Sequence, residues 1–194
     1  MGESHQVVRR EAGLKEDGLK AAEKTVTWPL DIYDAFKRIG IRQVAFVPDA
    51  GHTQLIKSCE SDKDIKTVSL TTEEEGVAML AGTWLGGERG ALLMQSSGAG
   101  NCINMLGIIQ ECRFPLLMLV TMRGEWGEFN PWQLPMGQST ADILGRAGSA
   151  VHHVDDAARV GETVFAGAQM AFSTGRAVAV LIGQRVVGFK DWSK

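Results

Sequence analysis

From residue 27 onward the chain switches repeatedly between two hydrophobic periods. Residues 27–40, TWPLDIYDAFKRIG, put Ile32, Phe36 and Ile39 on one helical stripe, with Thr27 as a cap, Pro29 in the first turn and Gly40 as a stop. That spacing predicts an amphipathic helix. Beyond it, short apolar and β-branched runs (RQVAFVP, IKTVSL, ALLMQ, PLLMLV, AVHHV and AVAVLIG) alternate with helical patterns (HTQLIKSCE, EEEGVAMLAGTWLG, NCINMLGIIQEC and DDAARVGETVFAGAQMAFSTG). Nearly continuous apolar strands separated by helices predict an α/β, doubly wound, mainly parallel sheet with helices on both faces. Residues 121–140, TMRGEWGEFNPWQLPMGQST, follow neither period and read as a long loop, which Trp126, Phe129 and Trp132 mark as ordered and functional. Residues 1–24 carry five basic and five acidic side chains without an apolar face, so a flexible arm is expected there, with residues 25–194 forming a single domain.

Sheets of this kind work where strands end and helices begin, because the loops converge there and helix amino termini turn free N–H groups outward. VPDAGH at 47–52, TTEEEG at 71–76 and QSSGAGN at 95–101 occupy such positions. The net charge of -3 provides no field that would gather nucleic acid. No apolar run approaches the roughly 18–20 residues needed to cross a bilayer, and the first twenty residues lack the apolar centre of a signal peptide, so a cytoplasmic protein without membrane association is expected. Cys59, Cys102 and Cys112 are odd in number and scattered, which suits reduced thiols packed as small apolar groups.

Each candidate loop has a structural reading beside a chemical one. Thr72 to Glu75 spells a capping box, with Thr72 accepting the Glu75 N–H while Glu75 reaches back, and acidic residues in a first turn complement the helix dipole. Glu73, Glu74 and Glu75 can all be no more than that, or one of them can serve chemistry. SGAGN places Gly98 and Gly100 where backbone could approach an anion or a flat ring, or where a tight strand-to-helix turn is needed. Both nucleotide fingerprints fail, since Ile103 stands where a third glycine belongs and Gly-Lys-Ser/Thr is absent. His152 and His153 point to opposite faces of a strand, and His5 and His52 have no ligand-spaced partner, so no metal site is expected in this chain. QSSGAG is not a nucleophile elbow and has no evident acid–base partner.

Taken in order, VPDAG, TEEEGVAMLAGTWLGG, ALLMQSSGAGNCINML, PLLMLVTMRGEWGE and QLPMGQST resemble the landmarks of the pyrimidine-binding (Pyr) domain of thiamine diphosphate enzymes. The alpha subunits of sulfopyruvate decarboxylase and the amino-terminal part of phosphonopyruvate decarboxylase are the particular likeness, over about residues 28–185. In that family a glutamate opens the helix nine residues before a glycine, and counting back from Gly82 selects Glu73, leaving Glu75 to the cap and Glu74 as the less favoured choice. The resemblance implies that Glu73 contacts N1′ of the cofactor's aminopyrimidine and shares a proton with it. The 4′-imine so favoured removes the proton from thiazolium C2, and the carbanion attacks the 2-keto carbon of a substrate that then loses carbon dioxide. It also implies that Pro48, Asp49, Ala50, Ser97, Gly98 and Asn101 border the pyrimidine, that Gln95 faces the site, and that Arg123 beside Gly124 meets an anionic substrate, with Trp126 a further substrate-side candidate. Turn formation for the glycines and capping for Asn101 stand as the other readings of those residues taken singly.

Two departures shape what the resemblance implies. The chain lacks the GDG with a downstream Asn that holds magnesium and diphosphate in the family's second, PP domain. It therefore resembles half an active site, in which thiamine diphosphate and Mg2+ are completed by a beta subunit carrying the PP domain, in a hetero-oligomer of α2β2 or higher order. The segment EWGEFNPWQL is also richer in aromatics than the corresponding family loop, which admits a larger, aromatic 2-oxo acid or acyloin in place of a small sulfonate or phosphonate. Decarboxylation of a 2-oxo acid is the expected reaction. The alternatives are a benzoin-type carbon–carbon lyase or carboligase, and a non-catalytic regulatory subunit of the same fold.

Overall fold

Alternate residues of the central strands feed two separate cores, because successive side chains of a strand point to opposite faces. In the computed structural model, which describes residues 27–189, Leu117 and Leu119 pack on one face while Leu116, Met118 and Val120 pack on the other. The expected arm at residues 1–24 lies outside the described residues. The strands are β1 (Ile41–Phe46), β2 (Lys66–Ser69), β3 (Arg89–Gln95), β4 (Leu116–Thr121), β5 (Ala150–Val154) and β6 (Ala177–Ile182). They form one sheet in the order β2-β1-β3-β4-β6-β5 with every neighbouring pair parallel. The fold is α/β and doubly wound, as the apolar runs predict.

The helices are α1 (Trp28–Ile39), α2 (Thr53–Glu60), α3 (Glu73–Leu85), α4 (Ser96–Ala99), α5 (Leu106–Cys112), α6 (Leu134–Arg146), α7 (Val160–Thr174) and α8 (Gln184–Val187). One core gathers Ile32 and Phe36 of α1, Leu55 of α2 and Val164 of α7; the other gathers Val77 and Leu80 of α3, Leu106 of α5 and Leu144 of α6. The chain leaves β1 toward β2 and later returns on β1's other side as β3, so the loops after β1 and β3 run apart and open a crevice at the strands' carboxyl ends. Among the described residues no helix is long and apolar enough to cross a membrane.

Local expectations needed three corrections. The stretch read as a loop through residue 140 ends earlier, in a 3-10 turn (Pro131–Gln133) that runs directly into α6. The buried face of α6 is Gly137, Thr140 and Leu144, too small and polar to register as an apolar stripe. Gly137 is needed there because a Cβ would fall on the carbonyl oxygen of Arg123. The two expected side-chain caps do not form: Thr27 and Thr72 cap through their carbonyls, and Glu75 reaches back to the Thr71 N–H at 3.0 Å. Finally, Cys59 and Cys102 pack as buried thiols, but Cys112 is exposed at the end of α5.

Candidate active site

Of the three consecutive glutamates only the first is buried. Thr72 is extended (φ -145, ψ 153), which turns the chain abruptly into α3 and folds Glu73 inward while Glu74 and Glu75 stay in solvent. Glu73 is 7% exposed, and its Oε2 accepts a hydrogen bond from Asn101 Nδ2 at 2.8 Å. The rest of the carboxyl lies against Gly98, where a Cβ would stand 2.1 Å from Oε1 and 2.3 Å from Cδ. A glycine is required here by close approach, not by backbone angle. Among the described residues no donor reaches Oε1.

A second cluster ties the strand ends together through Asp49. Its Oδ2 accepts the Gly51 N–H at 3.2 Å and the Thr121 hydroxyl at 2.5 Å, and its Oδ1 accepts Gln95 Nε2 at 3.1 Å. Ser97 donates in turn to Gln95 Oε1 at 2.9 Å. The carboxyl ends of β3 and β4 and the loop after β1 are thereby tied to one carboxylate. Beneath them His52 is fully buried, with Nε2 3.2 Å from the Leu119 carbonyl oxygen; burial pushes its pKa down, so the ring is neutral and Nε2–H is the donor.

The third cluster organises the loop after β4. Glu128, its side chain 1% exposed, accepts Arg123 Nε and Nη2, both at 2.7 Å, in a two-point pair. It also accepts the Gly124 and Asn130 N–H groups and Gln184 Nε2. The Arg123 guanidinium beside it, with these donors, holds its carboxyl at about 2. Gln184 Oε1 accepts the N–H groups of Glu125 and Trp126, and Glu125 Oε1 meets His153 Nε2 at 2.9 Å. Glu125 raises the His153 pKa above its usual 6.5.

These shifts define a pH window for the loop. The Glu128 carboxyl is depressed, so its stabilisation is complete above the ordinary 4.5 and lost as pH falls to about 2. The His153 ring is raised, so its ion pair is complete below 6.5 and lost as pH rises through the elevated value. Amide-exchange protection factors of Glu125 and Trp126 are expected to be greatest between pH 4.5 and 6.5 and to fall on either side. His153→Asn should abolish the alkaline fall alone; an unchanged alkaline limb in that variant contradicts the assignment.

Asp49, Ala50 and Arg123 line a cleft of about 200 Å³ together with Thr121, Phe129 and Phe189. Glu73, Gly98 and Asn101 are not among its walls; they form a separate cluster, with Gln95 and Ser97 bridging back to Asp49. Pro48 is exposed beside the cleft. The Arg123 guanidinium is already paired internally. Trp126 stands outside, edge-on to Phe189 at 5.0 Å between ring centroids and under the Arg185 guanidinium. Sequence reasoning passed over Thr121, Glu128 and Gln184. Thr121 and Gln184 carried a signal, each being a polar residue just where a wholly apolar strand ends; Glu128 carried none. Among the described residues no three His, Cys, Asp or Glu side chains gather as metal ligands.

An all-parallel sheet whose strand-end loops part at a switch point defines an α/β ligand-binding domain. Residues 30–131 match the thiamine pyrophosphate enzyme N-terminal TPP-binding domain, and the chain belongs to that family. Sulfopyruvate decarboxylase subunit alpha of Methanococcus maripaludis is 39% identical over 114 residues, 58% of this chain and 68% of that protein. The subunit of the same name from Methanothermobacter thermautotrophicus is 34% identical over 152 residues, 78% of this chain and 92% of its own. Among solved structures, 2-oxoglutarate:ferredoxin oxidoreductase from Magnetococcus marinus superposes with a TM-score of 0.69 at 17% identity, over 84% of this chain and 29% of that one, a likeness of fold.

Proposed function

We propose that this chain is the alpha subunit of a cytoplasmic, heteromeric, thiamine diphosphate-dependent 2-oxo acid decarboxylase, and that Glu73 is its cofactor-activating acid. The observation that carries the reading is the state of the Glu73 carboxyl. A carboxyl largely sheltered from water is costly unless its oxygens are engaged, and here Glu73, 7% exposed, is held at Oε2 by Asn101 while Oε1 rests against Gly98 and makes no hydrogen bond within the described residues, which leaves it able to meet a ligand. The residues fit an aminopyrimidine: a carboxyl oxygen for a ring nitrogen, flanked by the flat backbone of Gly98. With Asn101 donating to Oε2, Oε1 is the oxygen that carries the proton when the carboxyl is protonated, so proton exchange with a bound base occurs at that atom. Thiamine diphosphate, when bound, supplies the electron sink for loss of carbon dioxide.

The diphosphate and Mg2+ belong, on this reading, to a beta subunit carrying the PP domain. The relatives named as alpha subunits support that division. So does the surface: Trp132, 86% exposed, and Leu134 stand at the start of α6, which packs beside Gly100 through Met136, and an exposed tryptophan next to a site suits burial against a partner. Calorimetric titration of thiamine diphosphate with Mg2+ tests the proposal. The mixed alpha and beta chains are expected to bind at least tenfold more tightly than either chain alone. Binding of the same strength by the alpha chain by itself would refute the shared site.

A further inference from the structure

The cleft at the ends of β1, β4 and β6 has an unusual charge balance for a site handling acids. Its walls include two carboxylates, Asp49 and Glu128, against one guanidinium, Arg123. That guanidinium is bound at two points by Glu128, whose other lone pairs are taken by Gly124, Asn130 and Gln184. Withdrawing Arg123 to serve a ligand would leave a carboxylate that is 1% exposed without its counter-charge, a heavy cost. Among the described residues that line the cleft, no cation is thus left for a second anionic group. The other large side chains of the wall are Val187, Phe129 and Phe189, the last seated on Gly127, where a Cβ would stand 2.9 Å from the ring; the polar groups of Thr121 and Gln184, which also line the cleft, are engaged by Asp49 and by Glu125, Trp126 and Glu128. A volume of about 200 Å³ accommodates a ring, since an apolar cavity of about 150 Å³ takes up benzene.

Resting on the decarboxylase reading above, we infer that this cleft receives the C3 substituent of the 2-oxo acid and selects an apolar or aromatic group against a sulfonate or phosphonate. Selection is by exclusion as much as by fit: with Glu128 paired to Arg123 the cleft keeps the negative charge of Asp49, which repels a second anion, and its aromatic wall gives that anion's desolvation nothing in return. The chain thereby differs in substrate class from the sulfopyruvate decarboxylase subunits it is similar to. Phe189, 52% exposed and outside the Glu128 network, is the specificity-determining residue open to change without dismantling the loop.

The test uses the complete complex with a PP-domain subunit, thiamine diphosphate and Mg2+. The kcat/KM for phenylpyruvate is expected to exceed that for sulfopyruvate at least tenfold, measured by carbon dioxide release. Phe189→Arg, which adds a cation to the cleft, should lower that ratio at least tenfold, whereas Phe189→Leu should keep it within a few-fold. Calorimetry with the non-reacting acids 3-phenylpropionate and 3-sulfopropionate reports the cleft without turnover, and only the former is expected to bind. A preference for sulfopyruvate, or a ratio unmoved by Phe189→Arg, overturns the inference and leaves the decarboxylase reading standing. Binding of 3-phenylpropionate that Phe189→Arg abolishes, in a complex releasing carbon dioxide from no 2-oxo acid, supports the cleft's selectivity and removes the decarboxylase reading instead.

Discussion

Glu73→Gln in the assembled complex is expected to lower kcat by about 10²–10⁴-fold, the range a positioned acid–base group contributes, with the thermal midpoint almost unchanged. Glutamine preserves the volume that rests on Gly98, and its carbonyl oxygen can still accept the Asn101 amide. What it loses is the ability to carry and release a proton at the position of Oε1. Glu74→Gln is the matched control: that side chain is exposed, and its replacement should alter kcat by no more than a few-fold. Carbon dioxide release under saturating cofactor decides between them. Equal activity of the Glu73→Gln complex and the unaltered one would end the assignment, and a loss in Glu74→Gln instead would move it by one residue.

Gly98→Ala should be nearly as damaging for a different reason. The added methyl would lie 2.1 Å from Glu73 Oε1, so either the carboxyl or the turn after β3 must move. Overpacking of this kind costs about 1–3 kcal/mol of stability. Displacement of a reacting group by about 1 Å costs roughly 10²-fold in rate. Both effects have the same cause, and that supplies the check. Glu73→Ala removes the obstructing carboxyl, so the double variant Glu73→Ala/Gly98→Ala should regain most of the stability lost in Gly98→Ala while remaining inactive. Additive losses in denaturant titrations would mean that the two residues do not press on one another.

The three glutamates show where local reasoning runs out. All three satisfy the same helix-start pattern, and counting from Gly82 by resemblance singled out Glu73; the structure independently buries that residue and leaves its neighbours in water. The capping role given to the Thr72 side chain fell to its carbonyl instead, which accepts the Glu75 N–H. Arg123 marks the opposite outcome. In sequence it is a free cation in a loop; in the fold it is neutralised by Glu128, a carboxylate to which Gln184, arriving from beyond β6, also donates.

Sequence by itself determined the six strands, most of the helices and the sheet's parallel sense, because period-two and period-3.6 burial patterns are written in neighbouring residues. It also determined that strand-end loops at 47–52, 71–76 and 95–101 would carry the polar groups. Only the tertiary structure decided which carboxylate is sheltered, which is shared among loops by Asp49, and which cation is already spent on Glu128. It also decided that α6 exists, since its inward face is Gly137, Thr140 and Leu144 and earns burial through close backbone approach, not hydrophobicity. The reason is common to all of these. Periodicity is a local property of the chain, whereas the charge and exposure of a side chain depend on which distant loops the closed sheet brings against it.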